Sequence, residues 1–432
     1  MQRVWRFRAA TVDSPKVESS AVVVVRFSLD SSTRTVRRTV PPVMKRLLWL
    51  DIAKGIAILW VVYFHFFQTY SGAPSPMSGD FISEVAGADG WNGLAASLAT
   101  CARLVWYAIS EVGFHAVGLF IIVSGWSLAS ATARRAAKGP IAWGEWYRSR
   151  FIRLYPMYWL AHLVYLLSPF VARLEPVDAR ILTSLSGIRF LGPTGAFPFV
   201  NVAIQSNFFY LNAAWWYFAM LIQLYLIFPV LFVALRKLGL WGFLVLAFAV
   251  GFGTRYLLLE VWQAEGPWIL GGNALSRLPE FALGMALGTA HLQDPARVER
   301  WLVGVRGLVL GLALYFVAPF FYTGNTPYIF ADLWTGACCF LCVVGVSGLL
   351  EKWSFAAKWI GLVGSFSYGV YLVHQPYVIW LGLQIKDQPA WTFLAICVLT
   401  LTVLSAWGIV LEKAANAGLE KLIGEKKKAA AG

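Results

Sequence analysis

A lysine and a histidine occupy the first long apolar segment of the chain, at positions 54 and 65. At about 100° and 1.5 Å per residue, eleven residues return to nearly the same face of a helix, roughly 16 Å further along it. Lys54 and His65 are therefore predicted to share one stripe. An ionisable side chain inside a bilayer is costly unless it has a partner, so this stripe indicates a functional site.

Two arginines, Arg150 and Arg153, lie three residues apart at the start of the third apolar segment. Residues at this spacing face the same side of a helix. Two guanidinium groups so arranged suit a phosphate-bearing ligand, because each presents a planar fork to phosphate oxygens. The alternative, favoured by spacing alone, is that they are ordinary cytosolic charges beside a membrane helix.

Other titratable residues have both a structural and a functional interpretation. Glu111 and His115 are four residues apart at the predicted depth of His65, where the carboxylate either orients an imidazole or simply lies at a helix start. His162 and His374 lie deeper, and a core histidine is the favoured interpretation, with a supporting role at the site as the alternative for His374. His291 is assigned no role.

Two charge pairs have a simpler explanation. Asp51 and Lys54 are three residues apart at the inner face, and Arg277 and Glu280 have the same spacing at the outer face. Residues three apart are neighbours on a helix surface, so each pair is predicted to form an ion pair.

Composition fixes the class of protein. The 432 residues are 59% hydrophobic and only 13% charged, with a mean hydropathy of +0.64. These values predict an all-α, polytopic membrane protein. Runs of about 20 apolar residues give ten predicted spans: 47–68, 112–131, 151–172, 213–235, 238–258, 275–292, 301–322, 328–350, 363–384 and 391–412.

The basic residues predict the topology. With the N-terminus inside, 28 of the 36 Lys and Arg residues fall on the cytoplasmic side and six, including Arg189 and Arg255, on the exterior side. Because Lys and Arg accumulate in cytoplasmic loops, both termini are predicted to be cytoplasmic and the protein to lie in the cell (inner or cytoplasmic) membrane. The net charge of +14 is thus a topology signal, and no nucleic-acid partner is expected.

The ends and the long connections differ from the spans. Residues 1–46 are predicted to be a disordered basic tail, or an over-extended start with the true initiator at Met44, and residues 413–432 a cytoplasmic basic tail. Two long exterior connections are expected, at about 69–111 and 173–212. Aromatic residues in the second one indicate an interfacial belt or, alternatively, sugar stacking over a cavity mouth: Phe190, Phe197, Phe199, Phe208, Phe209 and Tyr210.

Small residues have structural interpretations. The five cysteines, at positions 101, 338, 339, 342 and 397, show no disulfide or zinc spacing and are interpreted as core residues. No metal is expected. Glycines four residues apart, at 284 and 288 and at 307 and 311, indicate close helix packing. These observations alone fit an enzyme or a transporter.

Six motifs, read in order, resemble the acyltransferase 3 family of membrane O-acyltransferases over residues 47–412. The motifs are Leu50 to His65 with its lysine and histidine, Leu119 to Gly125, Arg150-Phe-Ile-Arg153 running into Pro156, Trp216-Tyr217-Phe218 with Gln223 and Pro229, Arg277 to Gly284, and Ser367 to Pro376. Each motif alone is weak, but six in sequence with compatible topology are specific.

The resemblance implies transfer of an acyl group, usually acetyl, from cytosolic acyl-coenzyme A to a hydroxyl of an exterior or lipid-linked glycan. It assigns catalysis to Lys54 and His65, and coenzyme A binding to Arg150 and Arg153. His65 would act as the base or briefly carry the acyl group. The implied partners are the glycan acceptor, membrane lipid and glycan-assembly proteins.

The chain departs from the family pattern at two positions. Lys54 stands where arginine is typical, and Leu221 where many members have glutamate, which suggests a different subgroup and acceptor. A transporter or flippase of a lipid-linked or anionic solute is the alternative function. It predicts a repeat between the two halves, and the sequence shows none.

Overall fold

The computed structural model describes residues 47–87, 91–168, 177–189, 207–264, 266 and 268–429, with side chains as far as residue 421. This part of the chain is all-helical, as predicted. Its α-helices are α1 (Leu48–Ser71), α2 (Phe81–Ala86), α3 (Leu94–Glu111), α4 (Ala116–Ala136), α5 (Trp143–Leu166), α6 (Arg180–Ser186), α7 (Trp216–Tyr256), α8 (Leu278–Gln293), α9 (Pro295–Leu302), α10 (Val305–Tyr315), α11 (Asn325–Leu350), α12 (Ser354–Ser365), α13 (Ser367–Ile385) and α14 (Ala390–Ala429).

Five helical stretches are long and apolar enough to cross a membrane. They are Leu48–Ser71, Leu94–Ala136, Ala213–Val261, Asn325–Leu350 and Ala390–Lys421. The stretch Ala213–Val261 contains two of the predicted spans, 213–235 and 238–258. Helix α7 is interrupted at Gly239, the second residue of the latter span, whose φ of 70° is a conformation that favours glycine. The structure therefore establishes an apolar helical membrane protein, while the count of ten spans stays a prediction.

The first long exterior connection is not an irregular loop. It contains α2 and the 18-residue helix α3. Arg103 of α3 donates a hydrogen bond to the carbonyl oxygen of Ala86, 2.8 Å away, at the end of α2. The expectation of a long loop was wrong because the Gly, Pro and Asp residues lie outside α2 and α3, while the apolar run from residue 94 onward is helical.

The second long connection is described in part. Phe208 and Tyr210 are fully buried, so neither belongs to an interfacial belt or a cavity mouth. Arg189, predicted to be exterior, is also fully buried and donates hydrogen bonds to the carbonyl oxygens of Phe208 and Tyr210. The buried guanidinium thus organises the chain leading into α7. Phe190, Phe197 and Phe199 lie outside the described residues.

Glycines bring α4 and α8 into close contact. A methyl group at Gly125 would collide with the carbonyl oxygen of Phe281, and one at Gly284 with that of Ile122. Gly288 lies against Trp126 of α4 in the same way, and Gly311 of α10 against Cys342 of α11. The prediction that these glycines serve helix packing is confirmed.

The prediction that the cysteines are core residues is confirmed for three of them and wrong for one. Cys338, Cys339 and Cys397 are buried, whereas Cys101 of α3 is exposed. At the C-terminal end, α14 continues without interruption to Ala429, so the basic tail begins as an extension of that helix. The N-terminal segment 1–46, with the question of its true start, lies outside the described residues.

Candidate active site

Two histidines from distant parts of the sequence lie side by side. His65 of α1 and His374 of α13 have ring centroids 5.4 Å apart. His65 is half-buried and His374 fully buried. The sequence suggested His65 as the reactive group and His374 as a core residue. The contact between the two rings is seen only in the folded structure.

The hydrogen bonding of His374 fixes its tautomer. Its Nδ1 lies 2.7 Å from the carbonyl oxygen of Tyr371. Since a carbonyl can only accept, Nδ1 carries the proton and Nε2 of the neutral ring presents a lone pair. Within the described part of the chain, Nε2 has no hydrogen-bond partner, and no described residue hydrogen-bonds with the ring of His65. Two available imidazole rings are therefore adjacent.

The backbone around His374 is held by the start of α7. The hydroxyl of Tyr371 donates to the carbonyl oxygen of Ala214 over 2.7 Å and accepts from the amide of Phe218 over 3.1 Å. The indole of Trp215 donates to the carbonyl oxygen of Leu372 over 2.9 Å. These bonds join two motifs that the sequence showed only as separate signatures, and they fix the position of the His374 ring.

The two arginines lie in the first half of α5, about two and three turns after its first residue, Trp143. Arg150 is half-buried, with its guanidinium carbon 5.8 Å from the ring centre of Trp146, and Arg153 is exposed. Both lie within electrostatic range of Tyr225 on α7. Among the described residues, no carboxylate forms an ion pair with either arginine, so both charges are available to an anionic ligand.

Lys54 lies at the other end of α1 from His65. Its Nζ is 2.7 Å from Oδ1 of Asp51, which confirms the predicted pair. Ile58 and Val61, which lie between Lys54 and His65 on the same stripe, are buried. Lys54 is therefore separated from the histidine pair by packed side chains, and it does not contact His65.

A carboxylate from another helix lies near both Lys54 and one of the two arginines. Glu412 of α14 lies within electrostatic range of both Lys54 and Arg153. Its Oε2 accepts a hydrogen bond of 2.7 Å from the amide of Gly369. The sequence did not single out Glu412, although a glutamate near the end of an apolar segment was the available signal.

Glu111 and His115 are not part of the histidine pair. His115 shares hydrogen bonds with the hydroxyls of Tyr315 and Tyr322, the second over 3.1 Å. Glu111 is buried, and its Oε1 has no partner among the described residues. No described contact joins Glu111 to His65 or to His115, so the structure does not bring this carboxylate to either imidazole.

A buried ionic cluster occupies the region beside His115. Asp332 of α11 accepts from Arg255 over 2.6 Å and from Arg277 over 2.8 Å, and Arg277 also pairs with Glu280 over 2.9 Å. The pairing of Arg277 with Glu280 was predicted. Arg255, which the sequence placed on the exterior side, lies near the end of α7 and is 1% exposed.

The space next to this cluster is small. Its cavity, lined by His115, Arg277 and Asp332 among others, measures about 10 Å³, which is room for roughly one water molecule. A sugar does not fit there. Asp332 was overlooked in the sequence, where a lone aspartate inside an apolar segment was the signal.

The other two histidines have structural partners. His162 is held between the carbonyl oxygen of Tyr158 and the hydroxyl of Ser184, both 2.9 Å away, which confirms it as a core residue. His291 lies 2.9 Å from Glu299. Neither contacts the histidine pair in the part of the chain that the structure describes.

Comparison with known proteins agrees with the motifs. The family model of acyltransferase 3, described as an acyltransferase domain, matches residues 47–409. The chain therefore belongs to the acyltransferase 3 family, and it is a membrane acyltransferase. No curated protein and no solved structure matches the chain significantly.

The ionic cluster yields a prediction about stability. We expect Asp332→Asn to lower the free energy of unfolding by about 3–5 kcal/mol, because two buried guanidinium groups would share the single remaining carboxylate of Glu280. Thermal unfolding of the detergent-solubilised protein measures this change. Asp387→Asn, an exposed aspartate, is the control and should unfold like the native protein. Equal unfolding of both variants would contradict the stabilising role of Asp332.

Proposed function

We propose that the protein is an O-acyltransferase that moves an acyl group, most simply acetyl, from cytosolic acyl-coenzyme A to a hydroxyl of an exterior or lipid-linked glycan. The observation that carries the proposal is the pair His65 and His374 in a chain of this family. A sugar hydroxyl is a poor nucleophile until a base takes its proton. An imidazole without a hydrogen-bond partner is suited to that task.

The chemical step needs one base and no further reactant. As the hydroxyl oxygen attacks the thioester carbon, a ring nitrogen of His65 takes the hydroxyl proton. The carbon–sulfur bond then breaks, and the departing thiolate takes this proton from the imidazolium. The products are an ester on the acceptor and free coenzyme A, and His65 is again neutral.

In this proposal, His374 is a positioning residue. Its Nε2 can only accept while Nδ1 donates to Tyr371, so it suits the second N–H of His65. A hydrogen bond between the rings would hold His65 in one orientation and stabilise its cationic form. The ring separation of 5.4 Å supports this role.

The donor would leave its phosphates with Arg150 and Arg153. Both arginines lack described ion-pair partners, and planar guanidinium groups bind phosphate oxygens through two hydrogen bonds. Lys54, paired with Asp51, would balance charge at the same end of α1 without touching the reacting groups. The uncharged arm of the donor would then be the part that enters the helices.

The direction of transfer rests on topology. We propose ten spans with both termini cytoplasmic, in the cell membrane, as the distribution of Lys and Arg favours. The break at Gly239 within α7 supports two spans there. Membrane lipid surrounds the protein, and the acceptor would come from proteins that assemble the glycan.

Loss of the base should abolish transfer. We expect His65→Ala to reduce label incorporation by 10²- to 10⁴-fold, the usual range for general-base catalysis. The measurement follows label from acetyl-labelled coenzyme A into lipid and glycan fractions of membranes, with Cys101→Ala at matched expression as the control. Equal label with and without His65 would rule it out as the base. Absence of label even with the native chain would favour transport over transfer.

Removal of His374 should impair turnover without affecting donor binding. We expect His374→Ala to lower kcat by roughly 100-fold, since a misplaced catalytic group costs about that much, with an unchanged KM for acetyl-coenzyme A. The acidic limb of the pH–rate profile should also move, because the cation of His65 would lose its acceptor. His374→Gln, which keeps an acceptor oxygen, should recover part of the rate. An unchanged pH profile would reduce His374 to a packing residue.

Removal of the paired arginines should weaken donor binding rather than slow turnover. We expect Arg150→Ala with Arg153→Ala to raise the KM for acetyl-coenzyme A at least tenfold, because phosphate contacts to charged donors are lost. Arg148→Ala, an exposed arginine on the same helix, is the charge-matched control. If donor affinity stayed at the native value, the phosphate site would lie elsewhere.

A further inference from the structure

A groove lies beside the arginines at the predicted cytoplasmic end of the protein. It is formed by the turn at residues 139–141, by Trp143 at the beginning of α5, and by Phe232 and Arg236 of α7, and it encloses about 320 Å³. This volume is within the range of small-molecule sites.

The groove and the proposed phosphate site lie along the same helix, α5. Trp143, Trp146 and Arg150 follow one another at spacings of three and four residues, so they occupy one face of α5. The rings of Trp143 and Trp146 are 6.0 Å apart, and the guanidinium of Arg150 is 5.8 Å from the Trp146 ring. From Trp143 to Arg150 the distance along the helix is about 10 Å.

The groove combines an aromatic face with an available cation. Trp143 is half-buried and touches Phe232, with ring centroids 6.2 Å apart. Arg236 is exposed at the other side of the groove, and no described carboxylate forms an ion pair with it. Aromatic side chains stack on nucleobases, and arginine binds phosphate.

We propose that this groove binds the 3′-phosphoadenosine end of the acyl-coenzyme A donor, an inference that rests on the proposed function. The adenine stacks on Trp143, Arg236 binds the 3′-phosphate, and Arg150 with Arg153 binds the diphosphate. Arg236 is then the residue that distinguishes coenzyme A from its form without the 3′-phosphate. An anionic lipid headgroup would satisfy Arg236 but offers no aromatic base to Trp143, so the nucleotide fits better.

Two donors that differ only in the 3′-phosphate test the assignment. The native protein should have a kcat/KM for acetyl-coenzyme A roughly ten- to hundredfold above that for acetyl-dephospho-coenzyme A, as expected for a hydrogen-bonded charge pair. Arg236→Ala should lose this preference by slowing only the phosphorylated donor. Trp143→Ala should weaken both donors alike. Lys237→Ala, the adjacent exposed cation, which does not line the groove, should keep the native preference.

Four results would overturn the assignment, the first three of them kinetic. These three are a native protein that does not distinguish the donors, an Arg236→Ala variant that retains the preference, and an equal loss for both donors in that variant. The fourth is an effect of Arg236→Ala that vanishes when anionic vesicles are replaced by neutral ones, which would assign the groove to lipid.

Equilibrium binding separates this inference from the proposed function. Calorimetry with coenzyme A and dephospho-coenzyme A measures the preference without turnover. If the native protein transferred no acyl group yet bound coenzyme A more tightly, and Arg236→Ala removed the difference, transfer would be wrong and the nucleotide groove would stand. If transfer occurred without any binding preference, the groove assignment would fail and the acyltransferase function would stand.

Discussion

A polar group buried among apolar helices must find a partner, and this constraint organises most of the interior. Asp332 pairs with Arg255 and Arg277, and His162 lies between the carbonyl oxygen of Tyr158 and the hydroxyl of Ser184. Arg189 donates hydrogen bonds to the Ser184 hydroxyl and to backbone carbonyl oxygens. His374 Nε2 is one of several buried atoms without a hydrogen-bond partner in the described chain, as is Glu111 Oε1, but it lies beside the ring of a second histidine, His65.

The sequence predicted contacts that are local and missed those that the fold creates. Asp51 with Lys54 and Arg277 with Glu280 follow from the helical period, and both pairs are present. His65 and His374 are separated by most of the chain. Arg255 and Asp332 are separated in the sequence by several helices. The periodicity of residues along a helix does not reveal such contacts, because they depend on how different helices pack against one another.

The long connections show a second limit of sequence reasoning. Gly, Ser and Pro residues mark turns, but they do not reveal whether a helix lies between two turns, as α3 does. Aromatic residues indicate membrane interfaces on average, yet Phe208 and Tyr210 are buried around Arg189. Their residue types alone could not indicate that they would be buried around the cation of Arg189.

The separation of the cations from the histidines has a physical reason. Phosphate charges are too costly to bury without partners, so a donor of this kind can send only its uncharged end among the helices. Arg150, Arg153 and Arg236 remain accessible, whereas His374 is fully buried. Because Ile58 and Val61 fill the stripe between Lys54 and His65, the acyl arm of the proposed donor would have to reach the exposed side of the His65 ring past other helices, and binding at the arginines would hold it there.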